Sequence, residues 1–129
     1  MKKLSVVLVA SLFALTACGA AGGAVTTLSV PDFAKKITDS SVVLLDVRTP
    51  AEFASGHIAG ATNIDFESGT FASDIQKIDK TKSYAVYCRS GNRSAQATAI
   101  MAKDGFKSIF NLDGGINNWL SAGNAVVMN

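Results

Sequence analysis

The segment Tyr84-Ala85-Val86-Tyr87-Cys88-Arg89-Ser90-Gly91-Asn92-Arg93-Ser94 decides the fold of this chain, together with the helix-forming run 95–104 that follows it. Residues 84–87 are apolar and predict a short buried strand. Cys88 therefore lies at a strand end, in a tight polar loop just before a helix N-terminus. The N–H groups of such a loop converge on one point, where the helix dipole and two flanking arginines add positive charge. We predict that Cys88 is ionised and nucleophilic near neutral pH.

Strand and helix patterns alternate along the rest of the chain, with short connections between them. Val42-Val43-Leu44-Leu45 is an unbroken apolar run, as expected for a strand buried on both faces. Thr49-Pro50-Ala51-Glu52 combines a capping threonine, a proline at the first helical position and a glutamate three residues after the cap, which predicts a helix start. The alternation indicates a parallel α/β sheet covered by helices on both faces. The predicted strands are 42–45, 61–64, 83–87 and 108–111, and the predicted helices are 29–38, 49–56, 71–78, 94–104 and 116–122.

The N-terminal segment has the pattern of a signal peptide. Two lysines precede the apolar run 4–17, which is too short to span a bilayer. Leu15-Thr16-Ala17-Cys18 resembles a bacterial lipobox, so we expect cleavage before Cys18 and lipidation of that cysteine. The expected organisation is a lipoprotein signal peptide over 1–17, lipidated Cys18 with a flexible tether over 18–27, and one folded domain over 28–129.

Charge and cysteine content restrict the partners of the chain. It has 12 basic and 10 acidic side chains, and loss of Lys2 and Lys3 with the signal leaves 10 of each. A neutral domain gives no reason to expect nucleic acid as a partner. With Cys18 lipidated, Cys88 is an unpaired thiol in a compartment that normally oxidises thiols, which suggests that its reactivity is functional. We expect an extracytoplasmic protein held to a bacterial membrane by Cys18, on the periplasmic side in a Gram-negative cell.

A candidate site follows from the predicted sheet. Ligands of open parallel sheets bind at the carboxyl ends of strands, where the Cys88 loop and Asp46-Val47-Arg48 both fall. Arg48, Arg89 and Arg93 are the only arginines of the chain. Guanidinium groups suit oxyanions, so we predict a small oxyanion that carries an atom open to thiolate attack. There is one histidine and no Cys-x-x-Cys spacing, so neither a metal site nor a cofactor is expected.

Four segments in order make the chain similar to single-domain rhodaneses, the thiosulfate sulfurtransferase family. Together they cover nearly all of 28–123, and they are 45–53, 56–61 with 63–64, 88–94 and 111–115. The resemblance implies a doubly wound domain with a five-stranded, mostly parallel sheet, in a monomer that needs no cofactor. It implies a ping-pong reaction in which Cys88 takes a sulfane sulfur from thiosulfate or a similar donor and passes it, as a persulfide, to a thiol or cyanide. The substrate would be held by Arg89, Ser90, Gly91, Asn92, Arg93 and Ser94.

Other residues receive supporting or structural interpretations. Asp46 and Arg48 are expected to pair and brace the strand end, and Glu52 to cap its helix and orient a loop arginine. His57 is interpreted as a structural residue that caps carbonyl groups after a helix. Trp119 with Leu120 is expected to face the core. The acidic residues Asp65, Glu67, Asp74 and Asp79 are expected to be solvated surface.

Alternative functions remain open at this stage. Related dual-specificity phosphatases have a cysteine–arginine loop one residue longer, and the shorter loop here favours sulfur chemistry over phosphate chemistry. Some arsenate reductases also resemble rhodaneses, although this chain offers no resolving cysteine. A third possibility is a rhodanese-like module that binds a partner or senses redox state; modules of that kind usually lack the loop cysteine.

Overall fold

A computed structural model describes residues 23–129, so the predicted signal peptide and Cys18 lie outside the described residues. The described chain forms five strands: β1 Val25–Leu28, β2 Val42–Asp46, β3 Thr62–Asn63, β4 Ser83–Tyr87 and β5 Ser108–Leu112. They form one sheet in the order β1-β5-β4-β2-β3, and every pair of neighbours is parallel. This confirms the predicted α/β fold with a five-stranded sheet.

Helices cover both faces of the sheet, and strand β4 supplies side chains to the core on each face. Because side chains alternate along a strand, Tyr84 and Val86 pack on one face, and Ala85 and Tyr87 on the other. Cys88 continues the first series and belongs to the same core cluster as Tyr84 and Val86. The helices are α1 Val30–Lys36, α2 Pro50–Ser55, α3 Phe71–Asp74, α4 Asn92–Lys103 and α5 Gly115–Ser121, with a 3₁₀ turn at Ile75–Lys77.

The structure moves the start of the folded domain toward the N-terminus. Strand β1 occupies Val25–Leu28, most of which the sequence pattern assigned to the flexible tether. It pairs with β5 along its whole length, from Val25 opposite Ile109 to Leu28 opposite Leu112. The strand is short, lies at a sheet edge and has two exposed residues in the middle, so its sequence has little of the apolar pattern that marks the central strands. Within 23–129, no helix is long and apolar enough to cross a membrane.

Candidate active site

The sulfur of Cys88 lies at the carboxyl end of central strand β4, in the loop that leads into α4. The residue is only 1% exposed. The N–H of Gly91 points at the Cys88 Sγ atom across 3.1 Å. Gly91 takes a left-handed conformation (φ +102°) immediately before α4, whose first turn starts at Asn92. N–H groups in the first turn of a helix have no partner inside the helix, so this loop offers donors to an anion at Cys88.

Two opposing effects act on the pKa of Cys88, and the hydrogen bonds prevail. Burial raises the pKa of the thiol, because a thiolate is poorly solvated there. The Ser94 hydroxyl and the backbone N–H groups of Ser94, Gly91 and Ser90 act against this by donating to the sulfur, and the net result is a pKa below the ordinary value. The Ser94 hydroxyl also lies 3.2 Å from the Gly91 carbonyl, so its single proton has two acceptors within reach. The thiolate is the form that this loop stabilises.

The N-terminus of α5 fixes the backbone of the cysteine loop. The Ile116 N–H donates to the Cys88 carbonyl (2.9 Å), and the Asn117 N–H donates to the Arg89 carbonyl (3.1 Å). Gly115 makes this approach possible, since a Cβ atom there would lie 2.5 Å from the Cys88 carbonyl oxygen and its φ is +61°. Gly115 is far from Cys88 in the sequence, so its close contact with the loop depends on the tertiary fold.

The sequence suggested that Arg93 helps to hold an anionic substrate. In the structure its guanidinium is already paired with carboxylates. Its two terminal nitrogens bind the two carboxylate oxygens of Glu52 at 2.7 and 3.0 Å. Glu67 adds a second carboxylate at 3.5 Å. Glu67 is exposed, as expected, and through this contact it also reaches the rim of the site. The pKa of Glu52 is lowered to about 2, chiefly by the guanidinium of Arg93; burial acts in the opposite direction, and the capping Thr49 contributes a further lowering.

Asp46 and Arg48 form a buried pair next to the site. Arg48 Nη2 lies 2.6 Å from Asp46 Oδ2 and also donates to the Gly56 carbonyl at 2.7 Å. The Asn63 amide donates to the carbonyl oxygens of Asp46 and Arg48, which holds this strand end from the side of β3. Arg48 is buried and its side chain donates to Asp46 and to the Gly56 carbonyl. The pair therefore supports the end of strand β2.

Arg89 is the exposed cation of the loop, and among residues 23–129 it is the one arginine without a carboxylate partner. It lines a cleft of about 370 Å³ between the end of α2, helix α5 and the C-terminal segment. Leu120 lines the same cleft and is 48% exposed, so the expectation that it packs into the core is wrong. Trp119 is buried as expected, with its indole N–H on the Ala125 carbonyl. Ser90 and Asn92 are exposed residues of the loop.

Two aromatic residues beside the loop have structural contacts. His57 is buried, stacks on Phe53 with ring centroids 3.7 Å apart, and places Nδ1 2.8 Å from the Phe53 carbonyl. The Tyr87 hydroxyl accepts the N–H of Ile58 at 3.0 Å, and burial, followed by the nearby Asp46 carboxylate, raises its pKa. None of these contacts involves the Cys88 sulfur. The part of the chain described here contains no cluster of potential metal ligands.

The class of protein is an α/β domain with a doubly wound parallel sheet and a buried thiol in the loop between a central strand and the following helix. The family model of the Rhodanese-like domain matches residues 29–122, and the chain belongs to that family. Single-domain sulfurtransferases are among its relatives. Thiosulfate sulfurtransferase GlpE of Pseudomonas entomophila is 35% identical over 91 residues, which cover 70% of this chain and 82% of that protein. A sulfurtransferase of Allochromatium vinosum is 34% identical over 104 residues, covering 80% of this chain and 95% of that protein.

Solved structures agree with the family assignment. The crystal structure of a rhodanese-related protein from Thermoplasma volcanium matches with a TM-score of 0.72 and 32% sequence identity. The match covers 81% of this chain and 99% of that one, so the two folds correspond over essentially one whole domain.

Proposed function

We propose that this protein is a sulfurtransferase that moves a sulfane sulfur from thiosulfate, or a similar donor, to a thiol or cyanide through a persulfide on Cys88. The observation that carries the proposal is the thiol itself, because a buried cysteine with N–H donors on its sulfur and a lowered pKa is poised as a thiolate. The named sulfurtransferases among the relatives of this chain support the same activity.

The first half-reaction needs no general base when the thiolate is already formed. The Cys88 thiolate attacks the outer sulfur of thiosulfate, a sulfur–sulfur bond forms to Cys88, and the bond to the sulfonate sulfur breaks. Sulfite leaves with the electron pair of that bond, and Cys88 carries a persulfide anion. The N–H donors of the loop would then serve the terminal sulfur, as an oxyanion hole serves an oxyanion. In the second half-reaction an acceptor thiolate or cyanide takes that sulfur and Cys88 returns as a thiolate.

The two loop arginines would divide the work. Arg89 is exposed and has no carboxylate partner within the described part of the chain, so it is the group that would hold the sulfonate end of the donor. Arg93 is held by Glu52 and Glu67, so its part would be to fix the start of α4.

Intact-mass spectrometry of the purified protein after incubation with thiosulfate tests the first half-reaction. The expected result is a gain of one sulfur atom, about 32 Da, that cyanide removes, on the native chain and not on the Cys88→Ser variant. A folded, reduced protein that gains no sulfur would contradict the proposal and favour a partner-binding module or an arsenate reductase.

We also propose that the protein is extracytoplasmic and is anchored to a bacterial membrane through lipidated Cys18. The support is the sequence pattern of 1–18. Expression of the native chain and of a Cys18→Ser variant, followed by separation of membranes, tests the anchor. The native chain should sediment with membranes and acquire labelled fatty acid, and the variant should lose the label; equal labelling of both would overturn the proposal.

A further inference from the structure

The folded domain is neutral as a whole, but its charges are separated between the two edges of the sheet. The strands begin at one edge, which we call the amino edge, and they end at the carboxyl edge beside Cys88. The carboxyl edge holds the three arginines and six carboxylates. The amino edge holds four aspartates and all seven lysines of residues 23–129, an excess of three positive charges. These lysines are Lys35, Lys36, Lys77, Lys80, Lys82, Lys103 and Lys107.

Most of the positive charge at the amino edge is open to solvent. Lys82 and Lys107 are exposed and directly precede β4 and β5. Two of the four aspartates bind groups of their own turns, since Asp39 accepts from Ser41 and Asp79 from Thr81. The other two pair with lysines, at 3.2 and 3.5 Å. Within residues 23–129, four exposed lysines of this edge form no ion pair, and they are Lys35, Lys82, Lys103 and Lys107.

The chain enters the domain at the same edge. Strand β1 is parallel to β5, so its first residue, Val25, lies at the amino edge opposite Ile109. The Gly23 N–H donates to the Phe106 carbonyl at 3.2 Å, immediately before Lys107. Cys18 precedes Gly23 by five residues. A chain of that length spans at most about 18 Å, so a lipid on Cys18 would keep the amino edge close to the bilayer.

From the charge separation and the point of entry we propose that the amino edge docks on an anionic lipid surface. The proposal goes beyond the sulfurtransferase activity and rests on the anchor proposed at Cys18. Near an anionic bilayer, each lysine favours the docked state by about fivefold. The lipid anchor adds to this by holding the domain at a high local concentration beside the surface.

Docking in this way would fix the direction in which the reactive site faces. Lys82 and Cys88 lie at opposite ends of β4, so Cys88 would stand roughly 20 Å farther from the lipid headgroups than Lys82. The carboxyl edge carries the excess of carboxylates and would be repelled by the anionic surface. The cysteine loop would therefore face the aqueous compartment, from which a soluble donor and acceptor can reach it.

Lysine labelling on vesicles tests the docking face. The full chain, purified in a mild non-ionic detergent, is reconstituted into phosphatidylcholine vesicles with or without about one quarter of phosphatidylglycerol. A membrane-impermeant acetylating reagent is added, and mass spectrometry follows each lysine. We expect Lys82 and Lys107 to react about fivefold more slowly on the anionic vesicles at low salt. The difference should disappear in about 0.5 M salt, where the Debye length is only about 4 Å.

Substitutions at Ser68 give the matched controls, because this exposed residue follows β3 at the carboxyl edge. Ser68→Lys supplies a reporter amine there, and its labelling should depend little on the charge of the lipid. Lys107→Gln and Ser68→Glu each lower the net charge by one, at opposite edges. Lys107→Gln should speed the labelling of Lys82 on anionic vesicles about threefold, and Ser68→Glu should leave it unchanged. Equal slowing of the reporter and Lys82, or equal effects of the two charge variants, would overturn the proposal.

The intact mass of the purified chain separates this proposal from the others. A lipidated chain whose lysines react equally on both kinds of vesicle would contradict the docking face alone. A chain without lipid on Cys18 would contradict the anchor and the docking face together. A chain that shows the slowing but gains no sulfur from thiosulfate would contradict the sulfurtransferase activity and support the docking face.

Discussion

Arg93 and Glu52 link the N-termini of α4 and α2: the two terminal nitrogens of the Arg93 guanidinium donate to the two carboxylate oxygens of Glu52, one each, at 2.7 and 3.0 Å. Arg93 lies in the first turn of α4, and Glu52 in the first turn of α2. Such a fork-to-fork pair fixes orientation as well as distance. The arginine that the sequence suggested as an anion-binding group is therefore also a mechanical link that holds the loop against α2.

The Glu52–Arg93 pair should give the protein a component of stability that depends on pH. Arg93 lowers the pKa of Glu52 from 4.5 to about 2, so the ionised form is favoured in the folded state. The pair's contribution should be fully present above pH 4.5 and lost as the pH falls toward 2. Urea unfolding of the native chain and of Glu52→Gln across this range should reveal a difference of about 1 kcal/mol at neutral pH that shrinks in acid.

A matched substitution at Glu67 controls for general loss of negative charge. Its carboxylate lies 3.5 Å from Arg93 and its side chain is 55% exposed, so Glu67→Gln should have a smaller effect on unfolding at every pH. Equal effects of the two substitutions would contradict a specific role of the Glu52 pair.

Arg89→Gln should weaken the use of thiosulfate. The substitution removes the exposed, unpaired cation beside Cys88 and should raise KM for thiosulfate by about tenfold, with a smaller effect on kcat. Steady-state kinetics with cyanide as acceptor measure both constants. Lys103→Gln is the control, because Lys103 is an exposed cation at the far end of α4. An equal rise in KM for both variants would indicate only a general electrostatic attraction.

Ser94→Ala should move the reactivity of Cys88 to higher pH. Hydrogen bonding by the Ser94 hydroxyl lowers the pKa of Cys88 against the effect of burial. Its loss should raise the pKa of the thiol, so that less thiolate is present at neutral pH. The rate of alkylation by iodoacetamide as a function of pH reports this directly, and an unchanged profile would exclude a role of the hydroxyl in ionisation.

Gly115→Ala should disturb the loop far more than substitution of an unconstrained glycine. A Cβ at Gly115 would collide with the Cys88 carbonyl oxygen at 2.5 Å, whereas one at Gly60 would meet nothing within 4 Å. Both residues have positive φ, so Gly60→Ala measures the backbone cost alone, about 1–2 kcal/mol. We expect Gly115→Ala to lose about 3 kcal/mol or more in urea unfolding and to impair persulfide formation. Similar losses for the two variants would contradict the packing role.

The sequence predicted those features that local patterns encode. Strand β4, its cysteine loop and the capped start of α2 at Thr49 all depend on neighbours within a few residues. The family assignment followed from the same local segments. The pair of Asp46 with Arg48 spans only two positions, which made it accessible to sequence reasoning as well.

Long-range packing and short elements explain the differences. The contact of Glu67 with Arg93 joins residues 26 positions apart, and no local pattern indicates it. Leu120 follows buried Trp119 in a seven-residue helix, where a shift of one position changes which face a side chain takes. Strand β1 is recognisable only from its pairing with β5.

Helix α5 both anchors the reactive loop, through the Ile116 N–H on the Cys88 carbonyl, and exposes Leu120 one turn later. The two positions differ in how they are constrained. A side chain at Gly115 would collide with the Cys88 carbonyl, whereas the side chain of Leu120 is half exposed to solvent. One short helix therefore combines a position fixed by close packing against the cysteine loop, Gly115, with a position whose side chain is open to solvent, Leu120.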